Sequence, residues 1–532
     1  MTASLVDKRY FKFIFFFVLF GSFFYLYFDY FREDPLLGRD DNLLVVPMMD
    51  IVSVKDYFQK VSNNTILDVQ PIRDLTFWLN IKLRYLFGFS FFHLTNYVIF
   101  CFLIFLVFNL FEILFQNKYF PYVFSLLFAV HPIMVSSVGW VSARKHSLAT
   151  LFILFSIIDF LKNKNLSLKS CIFYVLSMLS HQIYCLFPLW IYVVSKIKGI
   201  NLNKTKYLLM IFLGGIILAV AFYKTFLLNQ GNIVYGEKFS YFSNLSRFVL
   251  SISRSFVLIF FPRVIAAAYY QGSIWNLVGI PVGVIFIFAL FRNKLIVTRS
   301  YTWLSLTILS FLPTVIAFVH ETYLYLLLIC SLVITAFCFE SFQEGLRKKI
   351  SKIIGFCFLV FFVLKTISVS PIWMSNARLW HYSYLNEKSP YNAIILSGYV
   401  KNEKTSIELL TWAAEYFDFA YNAELIPFFT FKIYHTPKLS REEKIRIFKK
   451  HYLPHHIFNT YLALLNMQGK DNEVAKGLVE IKKIIHWLKD NPLEMSMYQE
   501  LIFTNIKIFC ETDASKTFLC KDLNIDFKEK VK

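Results

Sequence analysis

The sequence predicts an all-α polytopic membrane protein, and three observations support that class. The chain of 532 residues is 57% hydrophobic and 17% charged, with a mean hydropathy of +0.53. A soluble globular chain has no use for so much apolar surface. Its apolar residues gather into long runs, and its cations cluster in the short stretches between them. The net charge of +20 therefore belongs to loops and gives no argument for nucleic acid as a partner.

The first run, 11–28, is longer than a signal-peptide core and lacks a small-residue cleavage site. It reads as a retained span whose start is held in the cytoplasm by Lys8, Arg9 and Lys12. Further runs cover 91–115, 121–138, 147–161, 169–182, 183–195, 207–228, 247–265, 276–291, 300–319, 322–339 and 353–370. A span needs about 20 residues to cross ~30 Å of hydrocarbon, and several of these runs are shorter. Segment 169–196 has cations at both ends and His181-Gln182 in its middle, which suits two short helices better than one span. Segment 121–161 reads the same way, with a tip at 139–146 facing away from Lys118 and Lys162.

The basic clusters Lys162/Lys164/Lys169, Lys196/Lys198/Lys204/Lys206, Arg292/Lys294/Arg299 and Arg347/Lys348/Lys349/Lys352 belong on the cytoplasmic side. Parity then forbids 247–265, which has Arg254 at its centre, from crossing, so it is expected to be re-entrant or interfacial. About 11 crossings remain, with the N-terminus cytoplasmic and the C-terminus outside. Two domains follow: a membrane domain over 1–370, with a first exterior loop at about 29–90, and an extracytoplasmic tail over 371–532. Helical spacing in the tail, as at 407–419 and 474–488, predicts an all-helical structure. Cys101, Cys171, Cys185, Cys330, Cys338 and Cys357 lie in apolar runs and are expected to be reduced. Cys510 and Cys520 lie in the tail, where a disulfide is chemically possible. The Lys/Ile/Asn/Phe-rich composition and the lack of eukaryotic targeting signals point to a bacterial inner membrane, with a periplasmic exterior face.

Chemistry concentrates in 131–145, His-Pro-Ile-Met-Val-Ser-Ser-Val-Gly-Trp-Val-Ser-Ala-Arg-Lys. A Pro turn, an interfacial Trp140 and the cations Arg144 and Lys145 at a hairpin tip would grip an anionic lipid headgroup. The first loop holds many solvated acids, among which Asp40-Asp41 stands out because it precedes the apolar stretch 43–49, expected to dock on the membrane surface. Adjacent carboxylates beside a low-dielectric surface have their pKa values pushed apart, as a general base requires. His93 and Asn96 share a helix face but are too few for a metal site, which favours hydrogen bonds between helices. Glu321, after His320, opens a span end and is expected to pair with Arg254, Arg263 or Arg144. Pro454 breaks the helix that would align His451, His455 and His456 on zinc. The chain has no Gly-rich phosphate loop, nucleophile elbow or Cys-pair zinc pattern.

Taken in order, these pieces resemble the multi-span O-mannosyltransferases with TPR tails, within the GT-C superfamily of polyprenyl-phosphate-sugar glycosyltransferases. The resemblance rests on Asp40-Asp41, Pro71-Ile-Arg73-Asp-Leu75, His93-Leu-Thr-Asn96, and His131-Pro132 through Gly139-Trp-Val-Ser142 to Arg144 and Lys145. It continues through Phe261-Pro262, Glu321-Thr-Tyr-Leu-Tyr325, Trp373-Met-Ser-Asn376, Leu379-Trp380 and Pro390-Tyr-Asn392. It covers about 10–395 and is most specific over 91–144. The chain departs from it at His181-Gln182, where members usually show a Lys-Glu-like pair, at Thr322 for an Arg, and at Ala268 for an acid.

The resemblance implies a GT-C-like transmembrane bundle with a TPR-like tail. It implies inverting transfer of a monosaccharide from a polyprenyl-phosphate carrier to a hydroxyl of a protein or glycan acceptor at the extracytoplasmic face. Asp40 or Asp41 would be the base, and Arg144, Lys145 and Arg254 would hold the phosphate. Arg73, His93, His131 and Glu321 would complete the substrate site. No cofactor is required, although two carboxylates are also suited to Mg²⁺ or Mn²⁺. The departures motivate one alternative, a catalytically inactive scaffold that binds the lipid-linked sugar. A transporter of such lipids is a further one, disfavoured by the absence of internal similarity between the halves.

Overall fold

The computed structural model describes residues 2–33, 41–45, 48–49, 51–62, 69–223, 241–266, 275–291, 294–311, 321–341 and 346–397, with 399–400, 405, 408–409 and 412 beyond them. Asp40, Ala268, Cys510, Cys520 and nearly all of the tail lie outside the described residues, and Glu321 is described by its backbone alone. The chain divides into two compact units, one of Met1–Thr225 with Ser240–Glu387 and one of Phe226–Phe239 with Lys388–Lys532. Residues 371–387, read from the sequence as the start of the tail, thus belong to the first unit.

Every regular element among the described residues is helical. In chain order they are α1 (Thr2–Leu26), α2 (Phe28–Glu33), α3 (Asp41–Leu44), α4 (Val54–Ser62), α5 (Pro71–Phe87), α6 (Phe92–Leu114), α7 (Phe120–Ala129), α8 (Val135–Gly139), α9 (Arg144–Asn163) and α10 (Leu168–Ser180). There follow α11 (Phe187–Lys198), α12 (Lys204–Phe222), α13 (Tyr241–Phe260), α14 (Trp275–Phe291), α15 (Lys294–Phe311), α16 (Tyr325–Ser341), α17 (Leu346–Val369), α18 (Asn376–Asn386) and α19 (Pro390–Ser397). Within the described residues, six helices are long and apolar enough to cross a membrane: Arg9–Leu26, Phe92–Leu114, Val141–Asn163, Lys204–Ala221, Thr322–Ser341 and Lys352–Met374. The count is seven if the bent pair Phe120–Ala129 and Pro132–Gly139 forms one span. Helical stretches Leu168–Ser180, Phe248–Phe260 and Trp275–Val284 are apolar but shorter.

The breaks have local causes. Between α7 and α8 the axis turns by 56°, where Pro132 removes a backbone donor. His131 caps the short turn Pro132–Met134 by accepting from the Ile133 amide at 3.3 Å on Nδ1. His181 repeats this device between α10 and α11, its Nδ1 accepting from the Ile183 amide at 3.1 Å. A His-X-Ile triplet ends a helix at both places. Ser53 and Asp56 form a reciprocal cap on α4, with the Ser53 amide donating to Asp56 at 2.8 Å and the Asp56 amide to the Ser53 hydroxyl at 3.2 Å.

Two expectations are corrected by the packing. The stretch 131–144 is not an exposed tip; every one of its residues is buried. Its small side chains, Ser136, Ser137, Gly139 and Ala143, let other segments close over it. Tyr30 donates to the Ser370 carbonyl across this stretch, and Trp140, expected at the interface, packs on Trp373 with ring centroids 6.4 Å apart. The apolar stretch after Asp41 likewise docks on protein. Val45, Met48 and Ile51 form one cluster with Phe77, Ile81, Phe92 and Val141. Burying such side chains stabilises by about 1.5–3 kcal/mol each, which holds the first loop against α5 and α6.

Gly139 tests the close approach. A Cβ there would lie 3.1 Å from Trp373 Cβ and 3.2 Å from the Tyr30 ring and hydroxyl. Gly139→Val is expected to cost about 1–3 kcal/mol of stability by overpacking. Gly21, with nothing within 4 Å of such a Cβ, serves as the control. Melting curves of the detergent-solubilised variants should show a lower transition for Gly139→Val and an unchanged one for Gly21→Ala.

Candidate functional site

The first loop reaches the 131–145 stretch through Asp41. Its buried carboxylate accepts from the Ser142 backbone amide at 2.8 Å and from the Ser142 hydroxyl. Ser142 sits in the turn Val141–Ala143, and the next helix opens with Arg144. A carboxylate and two cations of the chain are therefore drawn to one turn.

Arg144 has a different position from the headgroup-facing one expected. Its guanidinium is fully buried and donates to Asn96 Oδ1 at 2.6 Å, Asn80 Oδ1 at 2.7 Å, Thr76 Oγ1 at 3.2 Å and the Phe92 carbonyl at 2.7 Å. It lies 4.8 Å from the Phe77 ring centroid and 5.8 Å from that of Phe92. A guanidinium cannot shed its charge, so burial requires acceptors on every side. Asn96 serves both ends of the turn, since its Nδ2 donates to the Trp140 carbonyl at 3.0 Å. Asn80 donates onward to Thr95 at 2.7 Å. Lys145, the neighbouring cation, is only half-buried.

Arg73 is also buried. It donates from Nε and Nη2 to Asp74 Oδ1 at 2.8 and 2.6 Å. The other Asp74 oxygen accepts from the Tyr57 hydroxyl at 2.8 Å and the Gln70 amide at 3.1 Å. Burial pushes the Asp74 carboxyl above the usual range, and the Arg73 guanidinium opposes that push. Gln70 then reaches Gln182, donating at 3.0 Å. Beside Gln182, the His181 ring lies 4.4 Å from that of His146, which Tyr323 meets edge-on at 4.9 Å. Lys145, His181, Gln182 and Tyr323 are all partly exposed, so this wall is the accessible part of the polar network.

His146 was missed by sequence reasoning, being taken only as the end of the tip. Its one signal was adjacency to Arg144-Lys145. His181-Gln182 registered as the break within 169–196 and as a departure from the resemblance, and not as part of a site.

The remaining candidates are structural in their contacts. His93 is buried, with Nε2 3.4 Å from the Gly139 carbonyl and its ring 5.4 Å from that of Tyr30. His131 donates from Nε2 to the Ile259 carbonyl at 2.9 Å while Nδ1 accepts from Ile133, which selects one neutral tautomer. Arg254 pairs with Glu387 at the end of α18, both side chains being buried. A guanidinium buried on α13 needs a carboxylate, and Glu387 supplies one; the Glu321 side chain, expected to pair with Arg254, Arg263 or Arg144, lies outside the described residues. Arg263 stacks 4.8 Å from the Trp275 ring. Among the described residues, no three His, Cys, Asp or Glu side chains converge as a metal site. Cys101, Cys171, Cys185, Cys330, Cys338 and Cys357 are free thiols.

A stretch of 155 residues, 28% of this chain, is 27% identical to a protein O-mannosyl-transferase of Caenorhabditis elegans. It spans 21% of that protein's length, so the chain covers about a fifth of the relative. No protein-family model matches the chain, and no solved structure matches it. The described residues thus include helices fit to cross a membrane, and part of the chain bears a distant likeness to a protein O-mannosyl-transferase.

Two substitutions separate the buried from the accessible cation. Arg144→Ala leaves Asn96, Asn80 and the Phe92 carbonyl without their donor, at about 1–3 kcal/mol for each orphaned acceptor. Lys145→Gln should cost under about 1 kcal/mol. For the second ion pair, Glu387→Gln is expected to destabilise by about 3–5 kcal/mol, and Arg254→Met/Glu387→Leu by much less. Chemical denaturation in detergent reads all four. Equal losses in the single and double variants would show that the Arg254–Glu387 contact does not govern stability.

Proposed function

We propose that the protein is a membrane glycosyltransferase that moves a monosaccharide from a polyprenyl-phosphate carrier to a hydroxyl of a protein or glycan acceptor at the extracytoplasmic face. The observation that carries this reading is the docking of first-loop Asp41 on Ser142, two residues before Arg144 and three before Lys145. It brings a carboxylate beside the cation-bearing turn. The same reading takes the membrane unit as a GT-C-like bundle of about 11 crossings, with a TPR-like tail outside.

In this mechanism the acceptor oxygen attacks the anomeric carbon while its proton passes to Asp40 or Asp41. The carbon–oxygen bond to phosphate breaks, its electron pair leaves with the polyprenyl phosphate, and the anomeric configuration inverts. Lys145, half-buried at the start of α9, meets the departing phosphate. Arg144 acts as a positioning residue, because its donors are directed to Asn96, Asn80, Thr76 and Phe92. The transfer so written needs no metal.

One observation favours a second reading. Arg144 and Arg254 both donate into the protein, which suits a scaffold that binds the lipid-linked sugar without transferring it.

Purified protein in lipid, offered a panel of radiolabelled polyprenyl-phosphate monosaccharides with membrane extract as acceptor, tests the proposal. Asparagine at 41 keeps an oxygen for Ser142 but has no basicity. If Asp41 is the base, Asp41→Asn loses at least about 100-fold in transfer while remaining folded; if Asp40 is, the loss moves to Asp40→Asn. Transfer is expected to survive EDTA. Bound labelled lipid without transfer from any donor would overturn the enzyme reading in favour of the scaffold, and passage of labelled lipid without bond formation would indicate a transporter.

A further inference from the structure

A second polar surface lies away from this site, where α9, α10, α11 and α12 begin or end. Lys162 and Lys164 close α9, Lys169 opens α10, Lys196 and Lys198 close α11, and Lys204 and Lys206 open α12. All are exposed except Lys206, which is half-buried. The segments touch one another. The Cys171 thiol of α10 reaches the Lys206 carbonyl of α12 at 3.6 Å. The Tyr207 ring of α12 lies 6.3 Å from Tyr192 of α11, over which the Lys196 ammonium sits at 5.6 Å.

The charge is unbalanced. No Asp or Glu occurs between Asp159 and Glu237. Asp159 itself is turned into the α9–α10 connection, accepting from Ser170 Oγ at 2.6 Å, from Asn163 at 2.9 Å and from the Ser167 hydroxyl.

Apolar side chains are interleaved with these lysines and left open. Leu168, beside Lys169, is 55% exposed, and Ile197, between Lys196 and Lys198, is 49% exposed. Ile172, one turn into α10, and Tyr192 are exposed as well. An acidic protein or a nucleic acid would be met by the lysines alone and would gain nothing from exposed aliphatic groups. A leaflet offers both halves of the match, with phosphates at the level of the ammonium groups and acyl chains just beneath. Tyrosines suit the boundary between them.

We propose that this lysine face is a binding site for anionic phospholipid headgroups of the leaflet at which these helices end. The lysine ammonium groups hold the phosphodiesters, while Leu168, Ile172 and Ile197 lie against the acyl chains. The inference rests on the helices crossing a membrane and is independent of sugar transfer.

The test uses full-length protein in detergent titrated with phosphatidylglycerol or phosphatidylcholine, retained lipid being counted by native mass spectrometry. Each lysine near an anionic surface is worth about fivefold in association. Wild-type protein is expected to prefer phosphatidylglycerol by about tenfold or more. Lys164→Gln/Lys169→Gln/Lys198→Gln/Lys204→Gln should lose that preference, and the corresponding four-arginine variant should keep it. Melting in phosphatidylcholine nanodiscs checks that both variants are folded. If the glutamine variant does not assemble, the wild-type preference at low and high salt decides, since exposed charge attraction is screened within ~10 Å at 0.1 M. No wild-type preference, or one that survives in the glutamine variant or in high salt, overturns the proposal. Polyglutamate or RNA captured by wild type in phosphatidylcholine nanodiscs and lost in the variant would also overturn it, assigning the face to a soluble polyanion.

Discussion

The structure depends first on burying the Arg144 guanidinium. A permanent cation inside an apolar bundle is tolerated only where acceptors surround it, and each must come from an element held in register. Asn80 and Thr76 fix α5, while Asn96 and the Phe92 carbonyl fix the start of α6. The same Asn96 holds the Trp140 carbonyl, so the turn before α9 cannot shift without disturbing the cation. Asp41 then finds the Ser142 amide in a defined place. The docking of the first loop is thus a consequence of the arginine as much as of its own hydrophobic cluster.

Three arginines are fully buried among the described residues, and each is held by different partners. Arg73 uses the carboxylate next to it in sequence, Arg144 uses amide, hydroxyl and carbonyl oxygens, and Arg254 uses Glu387 from a helix far along the chain. Buried pairs of this kind are weak contributors to net stability, because desolvation offsets most of the attraction. What they supply is a penalty for any other arrangement. A bundle of phenylalanine-rich helices packs in many registers at similar cost, and polar contacts that must be met single out one.

This also explains what the sequence could and could not reveal. Helical class and the break at His181 were legible, because run length and interruption are local properties. The hydrogen-bonding face of His93 and Asn96 was legible too, since three-residue spacing places both on one side of a helix. The burial of 131–144 was not. Serines, a glycine and an alanine next to two cations read the same way in an exposed turn and in a tightly covered one, and only Tyr30 and Trp373, distant in sequence, distinguish them. The apolar stretch after Asp41 carried the same ambiguity, because membrane and protein interior select the same residues. Arg254 gave no local sign of Glu387, 133 residues away.

The wall formed by Lys145, His146, His181, Gln182 and Tyr323 bears on what the departures from the O-mannosyltransferase pattern mean. Where the resemblance implies a charged pair, this chain has Gln182, engaged by the neutral Gln70, and His181, whose ring lies 4.4 Å from that of His146. Gln182 is matched on the opposing side by Gln70, so that contact is a hydrogen bond between two neutral amides. Hydrogen bonds between neutral groups are about half as strong as those to ions. A phosphate held at such a wall would owe most of its electrostatic attraction to Lys145, and the rest of its affinity would have to come from its sugar and its lipid. On the proposed reading, selection at this site would shift from the phosphate, common to every such carrier, toward the groups by which carriers differ.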